Sequence, residues 1–534
     1  MTNSLTNKPS QNKDDFYSLT TPIYYVNAAP HLGTAYTTIA ADVAARYQRM
    51  TGKDVGLITG MDEHGQKVAD TAKSKNLEPQ EWCDSMEPVF REEWNTLDIS
   101  YTSFVRTTSE VHKRGVQKFW ADLYDKGYLY KSSYDGWYCV HEETHYQESE
   151  LIKTDDGEFL CPECKRPVQK SSGEENWFFK LSSFQEKLLD YYNKHPEFIR
   201  PETRRNEIIS FVKSGLKDLS ISRSTFNWGV PFTFDKSHVA YVWADALISY
   251  LTGFGYGDPK REDEFNHYWP VEYHIVGKDI TRFHCVIWPA MLMAAGLELP
   301  KCIFGHGFIL TKGEKMSKSR GNAVKPDDIV KVFGLDAYRY YFLSDVTFGA
   351  DGSVSLERMV QVYNSDLANT WGNLVSRVFN MTKKYFDNKI PNIDIKLDNP
   401  LKDLAGQLFE EYNKCMCDLD FSGCTKAVVK LAEAANTYVQ DTEPWSLAKQ
   451  NKIDELSYVL YNLLEAIRII AMYMYPFMPI TSSCIFKSFG LEDLSKVKNI
   501  KQSTEWGQLS CGSVIEQPKN LFPRLDINKI SFDL

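Results

Sequence analysis

The stretch FYSLTTPIYYVNAAPHLGTAYTTIAADVAARYQRMTGKDVGLIT, residues Phe16–Thr59, decides the fold. Its first part, Phe16–Tyr25, is rich in aromatic and β-branched residues and predicts a strand. Apolar residues at helical spacing then predict a helix over Thr34–Met50, with Gly52 as its C-terminal cap. The apolar run Asp54–Thr59 predicts a second strand. A strand, a helix and a strand in this order indicate a βαβ unit of a parallel sheet.

The same pattern occurs again later in the chain. Tyr273–Val276 predicts a strand, Asp279–Ala295 a helix that ends at Gly296, and Lys301–Gly305 another strand. The long segment between the two halves has dense turn and charge signals, which indicate an inserted domain. We therefore predict an α/β fold in which a Rossmann-type parallel sheet is split by a small insertion.

The remainder of the chain, after about Asp351, is patterned as helices. Three segments are long and amphipathic: Lys402–Asp418, Thr425–Asp441 and Ile453–Met474. They predict an all-α helical bundle. The longest apolar run, Ile469–Ile480, is interrupted by two prolines, so we predict a buried helix and its end, not a membrane span.

Composition narrows the class of protein. A chain of 534 residues with 43% hydrophobic and 25% charged residues is expected to be globular and to contain several domains. Its net charge of −10 gives no general affinity for nucleic acid, although a local basic face would suffice. The first fifteen residues lack the features of a signal or transit peptide, and the 11 cysteines are mostly scattered. We expect a cytoplasmic protein, with import into an organelle left open.

Two further features indicate a phosphate-binding site. His31-Leu32-Gly33-Thr34 would open a helix, where free N–H groups attract phosphate; the alternative is a helix cap with a solvated histidine. Between Gly305 and Asn322 lies a lysine-rich loop that could close over a polyphosphate; the alternative is a solvated turn. Both features follow predicted strands of the same sheet, which favours the phosphate site.

These motifs resemble those of a known family. Lys315–Ser319, KMSKS, is identical to the signature loop of class I aminoacyl-tRNA synthetases, and His31–Thr34 resembles their His-Ile-Gly-His signature. Other stretches resemble the methionyl-tRNA synthetases of bacteria and organelles: Thr21–Asn27, Gly60–Gly65, Tyr241–Ala246 and Gly277–Ile280. The resemblance covers nearly the whole chain, from about Phe16 to at least Trp445.

The resemblance implies a methionine–tRNA ligase that forms methionyl-adenylate and pyrophosphate from methionine and ATP, then transfers methionine to the 3′ end of tRNA(Met). It implies His31, Lys318 and Lys315 as catalytic residues. Positions that match the ATP-binding residues of the family are His31, Gly33, Thr34, Gly277, Lys278, Lys315 and Lys318. Mg²⁺ is expected to accompany ATP. Thr34 stands where the family usually has a second histidine, and its hydroxyl could still donate to phosphate.

The family resemblance also implies a pocket for methionine. Asp62, at the end of a predicted strand, would bind the ammonium group, and aromatic rings would contact the thioether. The matching pocket positions are Ile23, Tyr25, Trp243, Leu247, Tyr250, Ile280, Phe283 and His284. Leu247 departs from the proline of some members. Without the resemblance, the aromatic residues would be interpreted as core. The insertion is short for a class whose larger members carry an editing domain at this place. Discrimination between methionine and other amino acids should therefore depend on this pocket.

Three residues of the C-terminal half match positions that contact the CAU anticodon. Asn373 and Arg377 are four residues apart, on one face of a helix, and Trp445 lies near a helix junction. An unstacked base could stack on the Trp445 ring while Asn373 and Arg377 contact base edges. The alternatives are a capped helix and a core tryptophan.

A metal site is the least complete of these motifs. Zinc knuckles in the family have two Cys-x-x-Cys pairs; here Cys161 and Cys164 form one pair, whereas Cys139 has lost its partner. The fourth ligand would be His141, with Glu142 or His145 as alternatives. A zinc ion would be structural, and a knuckle without metal is the alternative.

The resemblance implies the following organisation. A disordered tail spans residues 1–15, the two Rossmann halves 16–130 and 239–305, an inserted connective domain 131–238, a linker with the KMSKS loop 306–365, and a helical anticodon-binding domain 366–534. The chain ends soon after the bundle, so we expect a monomer.

Three other functions are considered. A sister class I synthetase, such as the cysteine enzyme, would need catalytic zinc ligands near its pocket. A small-molecule nucleotidyltransferase shares the His-x-Gly helix start but would not need the long helical domain. A non-catalytic tRNA-binding relative would not need His31, Asp62 and Lys318.

Overall fold

The computed structural model describes residues 15–140, 144–146, 148–162, 164–311, 314–315, 325–395, 397–519 and 521–530. The chain divides into two compact units. One, the sheet unit, consists of Ser18–Pro30 and Gly56–His306. The other, the helical unit, consists of the chain up to Tyr17, His31–Val55 and Gly307–Leu534.

The strands are β1 (Phe16–Tyr25), β2 (Asp54–Asp62), β3 (Ser103–Arg106), β4 (Leu129–Cys139), β5 (Thr144–Tyr146), β6 (Ile152–Lys153), β7 (Phe159–Leu160), β8 (Gln169–Phe179), β9 (Ile199–Arg200), β10 (Leu219–Ser220), β11 (Ser222–Arg223), β12 (Val239–Ala240), β13 (Tyr273–Gly277), β14 (Cys302–His306), β15 (Ile309–Thr311), β16 (Glu314–Lys315) and β17 (Gly352–Val354).

The α-helices are α1 (Leu32–Met50), α2 (Gln66–Ser74), α3 (Pro79–Thr96), α4 (Glu110–Asp125), α5 (Gln185–Lys194), α6 (Glu202–Lys213), α7 (Val242–Ala246), α8 (Ser249–Thr252), α9 (Glu262–Tyr268), α10 (Trp288–Ala295), α11 (Pro326–Phe333), α12 (Leu335–Ser344), α13 (Leu356–Val362), α14 (Asn373–Phe386), α15 (Pro400–Cys417), α16 (Phe421–Thr442), α17 (Pro444–Lys449), α18 (Ile453–Met474), α19 (Pro479–Ser488) and α20 (Ile500–Ser503). Two π-helical stretches occur at Phe283–Ile287 and Tyr363–Gly372.

The main sheet has six strands in the order β3-β2-β1-β13-β14-β9. The first strand of the second half therefore lies beside the first strand of the first half: β1 and β13 run parallel, with Leu19 opposite Tyr273 and Thr20 opposite His274. The pairs β2–β3, β13–β14 and β14–β9 are also parallel. The Rossmann-type parallel sheet predicted from the two βαβ patterns is confirmed.

The segment between the two halves contributes a separate sheet. Four strands pair in the order β10-β8-β4-β5, and β4 and β8 run antiparallel along most of their length. A second small sheet joins β6 to β7. Cys139 at the end of β4 lies in a small core with Cys161 and Tyr146. The insertion thus has its own strands and a minor core of its own.

The helical unit contains the bundle predicted from the amphipathic segments. Helix α18 spans the predicted range, Ile453–Met474, and α15 and α16 each begin before their predicted starts. By length and composition α18 could cross a membrane, but its most apolar stretch is entirely buried inside the protein. A core helix passes the same test, and burial on all sides is typical of one. The predicted buried helix and its end are confirmed.

The second predicted helix, over Asp279–Ala295, is not continuous. A short 3₁₀ turn at Lys278–Ile280 and a π-helical turn at Phe283–Ile287 precede α10, and Gly296 ends α10 in the left-handed conformation. Pro289 has no N–H to donate to the Cys285 carbonyl, four residues earlier. The Tyr192 hydroxyl donates to that carbonyl instead, at 2.5 Å. The proline therefore explains why the regular helix begins only at Trp288.

Candidate active site

Helix α1 opens with His31 as its N-terminal cap. The imidazole Nδ1 accepts from the backbone N–H groups of Gly33, at 3.0 Å, and Thr34, at 3.4 Å. The neutral ring then carries its proton on Nε2, which is a donor. A Cβ atom at Gly33 would lie 3.0 Å from the ring carbon Cε1 of His31. Glycine at this position lets the ring fold over the first turn.

Thr34 completes this cap, which explains how the helix starts without the second signature histidine. Its hydroxyl donates to the His31 carbonyl at 2.7 Å and accepts from the His31 N–H at 2.9 Å. The Thr34 N–H donates to the His31 ring while the His31 N–H donates to the Thr34 hydroxyl, and these two reciprocal bonds form a capping box. Helix α1 begins at Leu32, two residues before the predicted start, because the cap is His31 itself.

In the sheet unit, the aromatic residues predicted to line a pocket come together. The rings of Trp243 and Phe283 are stacked, with centroids 3.8 Å apart and planes 9° from parallel. Tyr25 meets Trp243 edge-on, with centroids 6.5 Å apart. Ile23, Ile280, Phe283 and Tyr25 are partly buried against the core that contains Trp243, Leu247 and Tyr250.

Next to this stack lies a neutral histidine. His284 is fully buried; its Nδ1 faces the Ile280 carbonyl at 2.9 Å and its Nε2 faces the Tyr250 hydroxyl at 2.6 Å. A carbonyl only accepts, so Nδ1 carries the proton and the tyrosine donates to Nε2. Burial lowers the pKa of His284 to about 4. The part of the predicted pocket formed by Tyr250 and His284 is therefore uncharged at neutral pH.

A second buried histidine supports Tyr250 from behind. The His274 and Tyr250 ring centroids are 4.5 Å apart. Trp288 donates its indole N–H to His274 Nε2 at 3.1 Å, and His274 Nδ1 lies 2.6 Å from the Thr20 hydroxyl. Burial holds the pKa of His274 well below its ordinary value. Sequence reasoning missed this residue, because its partners are distant in the chain.

Asp62 is the last residue of β2, and it is buried. The next residue, Glu63, is fixed on all sides: its carboxylate accepts from Arg106 and Thr108, and its carbonyl accepts from the Trp228 indole N–H at 2.7 Å. The β2 strand extends to Asp62, beyond the predicted end at Thr59. The carboxyl end of this strand is therefore rigidly held.

A buried His–Asp–His group was also missed by the sequence analysis. The Asp245 carboxylate accepts from His64 Nδ1 at 2.6 Å and from His112 Nε2 at 2.9 Å. His112 Nδ1 lies 2.8 Å from the Thr252 hydroxyl. Burial opposes ionisation of Asp245, but the two imidazoles outweigh it and hold its pKa below the usual range. The residues in these pairs are 181 and 133 positions apart, so no local pattern could reveal them.

Gly277 is the last residue of β13, one residue beyond the predicted end of the strand, and Lys278 begins the turn that follows it. Gly277 pairs with His306 of the parallel strand β14. A Cβ atom at Gly277 would lie 2.6 Å from the Asp279 carboxylate, so a side chain here would require Asp279 to change its conformation. Lys315 lies in the short strand β16, and Lys318 falls outside the described residues.

The three cysteines of the predicted knuckle lie together. Their sulfur atoms are all within 4.8 Å of one another, and those of Cys139 and Cys164 are 3.6 Å apart. His141 and Glu142 fall outside the described residues, as does the side chain of His145. Zinc–sulfur bonds of about 2.3 Å in a tetrahedral site hold sulfurs roughly 3.8 Å apart, which this spacing fits.

In the helical unit, the three predicted anticodon residues share one surface. Asn373 is exposed at the start of α14, and Arg377 follows one turn later. The Arg377 guanidinium lies over the ring of Trp445, 5.9 Å from its centroid. Trp445 is half-buried in the first turn of α17. A stacking ring and two hydrogen-bonding side chains are thus adjacent.

Comparison with known proteins identifies the chain. Residues 17–379 match the family described as tRNA synthetases class I (M), and residues 396–531 match the anticodon binding domain of methionyl tRNA ligase. The chain belongs to the methionyl-tRNA synthetase family. A methionine–tRNA ligase of Caldanaerobacter subterraneus is 46% identical over an alignment that covers 97% of this chain and 80% of that protein. A methionine–tRNA ligase of Streptomyces coelicolor is 45% identical over an alignment that covers 96% of this chain and 97% of that protein.

Solved structures of methionyl-tRNA synthetases agree with this assignment. The structure of the Mycobacterium tuberculosis methionyl-tRNA synthetase in complex with methionyl-adenylate is 40% identical and superimposes with a TM-score of 0.91, over 95% of this chain and 99% of that one. The apo form of the same enzyme gives a TM-score of 0.82 at 37% identity.

As a member of the methionyl-tRNA synthetase family, the protein is a methionine–tRNA ligase. It activates L-methionine with ATP to methionyl-adenylate and pyrophosphate, and then transfers methionine to tRNA(Met). The predicted class and reaction are confirmed, and the cysteine enzyme and the nucleotidyltransferase are excluded.

Proposed function

We propose that methionine binds against the stacked rings of Trp243 and Phe283, with its ammonium group on Asp62. The observation that carries this is the aromatic stack beside the neutral Tyr250–His284 pair. Thioether sulfur makes favourable contacts with aromatic rings, and an uncharged wall suits an uncharged side chain. Ile23, Tyr25, Leu247 and Ile280 complete the pocket.

We propose that His31, Gly33 and Thr34 bind ATP phosphates at the start of α1, and that Gly277 and Lys278 contact the nucleotide. In the structure the N–H groups of Gly33 and Thr34 donate to the His31 ring. A phosphate that uses these donors would require the ring to swing away, placing Nε2–H where it can meet the phosphate oxygen. The Thr34 hydroxyl remains in the cap, so Thr34 contributes to phosphate binding through its backbone N–H.

The chemistry of activation is an in-line displacement at the α-phosphorus by the methionine carboxylate. Positioning and charge stabilisation contribute most to such a step. We assign the charge stabilisation to Lys318 and His31, supported by Lys315, with Mg²⁺ accompanying ATP. Discrimination against amino acids with smaller or longer side chains then depends on the aromatic pocket. In a hydrophobic pocket one methylene group changes kcat/KM by roughly 10–200-fold.

For tRNA, we propose that Trp445 stacks an unpaired anticodon base while Asn373 and Arg377 contact base edges. The guanidinium–indole contact supports this, because it holds the ring and the arginine on one surface. Stacking of a base on an aromatic side chain is worth about 1–3 kcal/mol.

We propose that Cys139, Cys161 and Cys164 hold a structural zinc ion, with His141 as the fourth ligand or Glu142 or His145 in its place. The metal would crosslink the loops of the insertion without taking part in the reaction. Metal analysis of the purified protein should find about one zinc per chain, and Cys161→Ser should lose it. A metal-free protein with unchanged stability would contradict this assignment.

We also propose a cytoplasmic monomer with the domain ranges predicted from the sequence: a tail (1–15), two Rossmann halves (16–130 and 239–305), an insertion (131–238), a linker (306–365) and an anticodon-binding domain (366–534). Light scattering of the purified chain tests the monomer, since 61.4 kDa is expected for one chain.

The test of the methionine pocket is ATP–pyrophosphate exchange with Trp243→Ala and Asp62→Asn. Both variants should raise KM for methionine at least about tenfold, because each removes a contact to the amino acid, and leave KM for ATP within about twofold. Unchanged KM for methionine in a folded Trp243→Ala protein would overturn the pocket.

A further inference from the structure

A hydrogen bond joins the two segments that carry Asp62 and Trp243. Asp62 lies on the strand-end segment 62–65, and Trp243 lies on the short helix α7. His64 is two residues after Asp62, and Asp245 is two residues after Trp243. The His64 Nδ1–Asp245 Oδ2 distance is 2.6 Å, and both side chains are buried.

Other described hydrogen bonds of these segments lead to different elements. Glu63 is held by Arg106, Thr107 and Thr108, which lie on or just after β3. The Ala244 carbonyl of α7 accepts from Trp120 of α4. Among the described hydrogen bonds of residues 62–65, the bond of His64 is the one that reaches α7.

We propose that His64 and Asp245 are positioning residues that set the separation between Asp62 and Trp243, and so the fit of methionine to its pocket. This rests on the proposed assignment of Asp62 and Trp243 to the methionine pocket. Neither residue needs to touch methionine. His112 binds the other oxygen of Asp245 from α4 and fixes the carboxylate, but it does not contact the strand-end segment through the described hydrogen bonds.

Two substitutions of His64 separate the hydrogen bond from packing. Asparagine places an N–H donor near the position of Nδ1 but lacks the ring; phenylalanine keeps the ring but has no donor. If the bond matters, His64→Phe should raise KM for methionine roughly tenfold, and His64→Asn by no more than about threefold. If only packing matters, the order of the two variants reverses, which would overturn the proposal.

Asp245→Leu gives a second, independent variant. Leucine offers no acceptor, so the bond of His64 is lost together with that of His112. We expect KM for methionine to rise by a similar factor of about ten, with KM for ATP within about twofold. His112→Gln, which keeps a donor near the position of Nε2, is the matched control, with an expected rise in KM for methionine of less than about twofold.

Asp62→Asn must be measured beside these variants, with thermal unfolding of each to confirm that it is folded. A rise in KM for methionine in Asp62→Asn, with no rise in folded His64→Phe and Asp245→Leu, would overturn the positioning role alone. No rise in Asp62→Asn would overturn the pocket assignment. An equal rise of KM for ATP and for methionine in His64→Phe would show a general structural role and also overturn the proposal.

Discussion

The ring of Trp243 covers that of Phe283 face to face, with the two planes 9° from parallel. Trp243 lies on α7, and Phe283 lies on the π-helical turn that precedes α10. The π-helical turn alters the direction of the Phe283 side chain relative to a regular helix, and such turns are frequent at functional sites.

Removal of Phe283 should therefore weaken methionine binding. Phe283→Ala takes away one face of the stack, and we expect KM for methionine to rise about tenfold while KM for ATP stays within about twofold. Steady-state ATP–pyrophosphate exchange measures both. Phe283→Leu keeps bulk without an aromatic face and should lie between wild type and alanine; a leucine variant equal to wild type would argue against an aromatic requirement.

The buried histidines predict a pH dependence of stability. The pKa of His284 is about 4 in the folded protein and 6.5 is its ordinary value, so the unfolded state binds more protons between these pH values. The free energy of unfolding should then rise with pH across this window and reach its full value above it. His274 contributes with the same sign.

The control for this prediction is His284→Gln, which does not titrate. Urea unfolding of wild type and variant between pH 4.5 and 7.5 should show the wild-type advantage shrinking as pH falls. Asp245 changes the pH dependence of stability only at lower pH, because the pKa of its carboxyl group is below the usual range. Two parallel curves would contradict a neutral, buried His284.

The cap of α1 can be tested through Thr34. Thr34→Ala removes both side-chain bonds to the His31 backbone, and the free energy of unfolding should fall by about 1 kcal/mol. Thr34→Ser keeps the hydroxyl and should lose less than half of that. Exchange activity should survive in both variants, because the structure places the hydroxyl in the cap; loss of activity in the serine variant would contradict this role.

A buried ion pair within the helical unit should be important for stability. Asp42 of α1 accepts from Arg339 of α12 at 2.5 Å and from Arg46 at 2.7 Å, and Arg339 also donates to the carbonyls of Pro476 and Phe477. Asp42 and Arg339 are fully buried.

Arg339→Met should lower the free energy of unfolding by about 3–5 kcal/mol, because it leaves the Asp42 carboxylate buried without this partner. Asp42→Leu should lower the free energy of unfolding less in the Arg339→Met protein than in the wild type. A double-mutant cycle with urea unfolding would measure this difference. Strict additivity of the two substitutions would contradict a direct ion pair.

The anticodon surface gives a prediction that separates the two reaction steps. Trp445→Ala should raise KM for tRNA(Met) in aminoacylation roughly tenfold, the effect of one lost stacking contact. ATP–pyrophosphate exchange, which needs no tRNA, should not change. Asn380→Ala, an exposed position one turn beyond Arg377 on α14, is the matched control. An equal effect of Trp445→Ala on both assays would argue for a general loss of folding.

Much of the fold was accessible from local patterns. Strand β1 and helix α18 have the predicted ends, because β1 is rich in aromatic and β-branched residues and α18 has a long apolar pattern at helical spacing. The start of α1 differed by two residues, since the cap depends on a side chain folding back onto the backbone. The break before α10 depends on Pro289 and on Tyr192, which lies 93 residues from the carbonyl that it binds.

The site shows the same division. Trp243, Phe283 and Tyr250 were predicted from the family motifs, and the structure brings them together. The pairing of His64 with Asp245 was not predicted, although both lie in stretches that resemble the family, because a motif does not show which of its residues meet. His274 and His112 were not predicted, because isolated histidines in a sequence are indistinguishable from core residues. Their role depends on pairing across more than a hundred residues.

The central claim is that this chain activates methionine at the aromatic pocket, with Lys318 of the KMSKS loop acting on the phosphates of ATP. The most direct measurement is ATP–pyrophosphate exchange with each of the twenty amino acids, for wild type and Lys318→Ala. We predict exchange with methionine alone, greatly reduced in the variant. Exchange with another amino acid would contradict the pocket, and no exchange at all would indicate a tRNA-binding relative without catalysis.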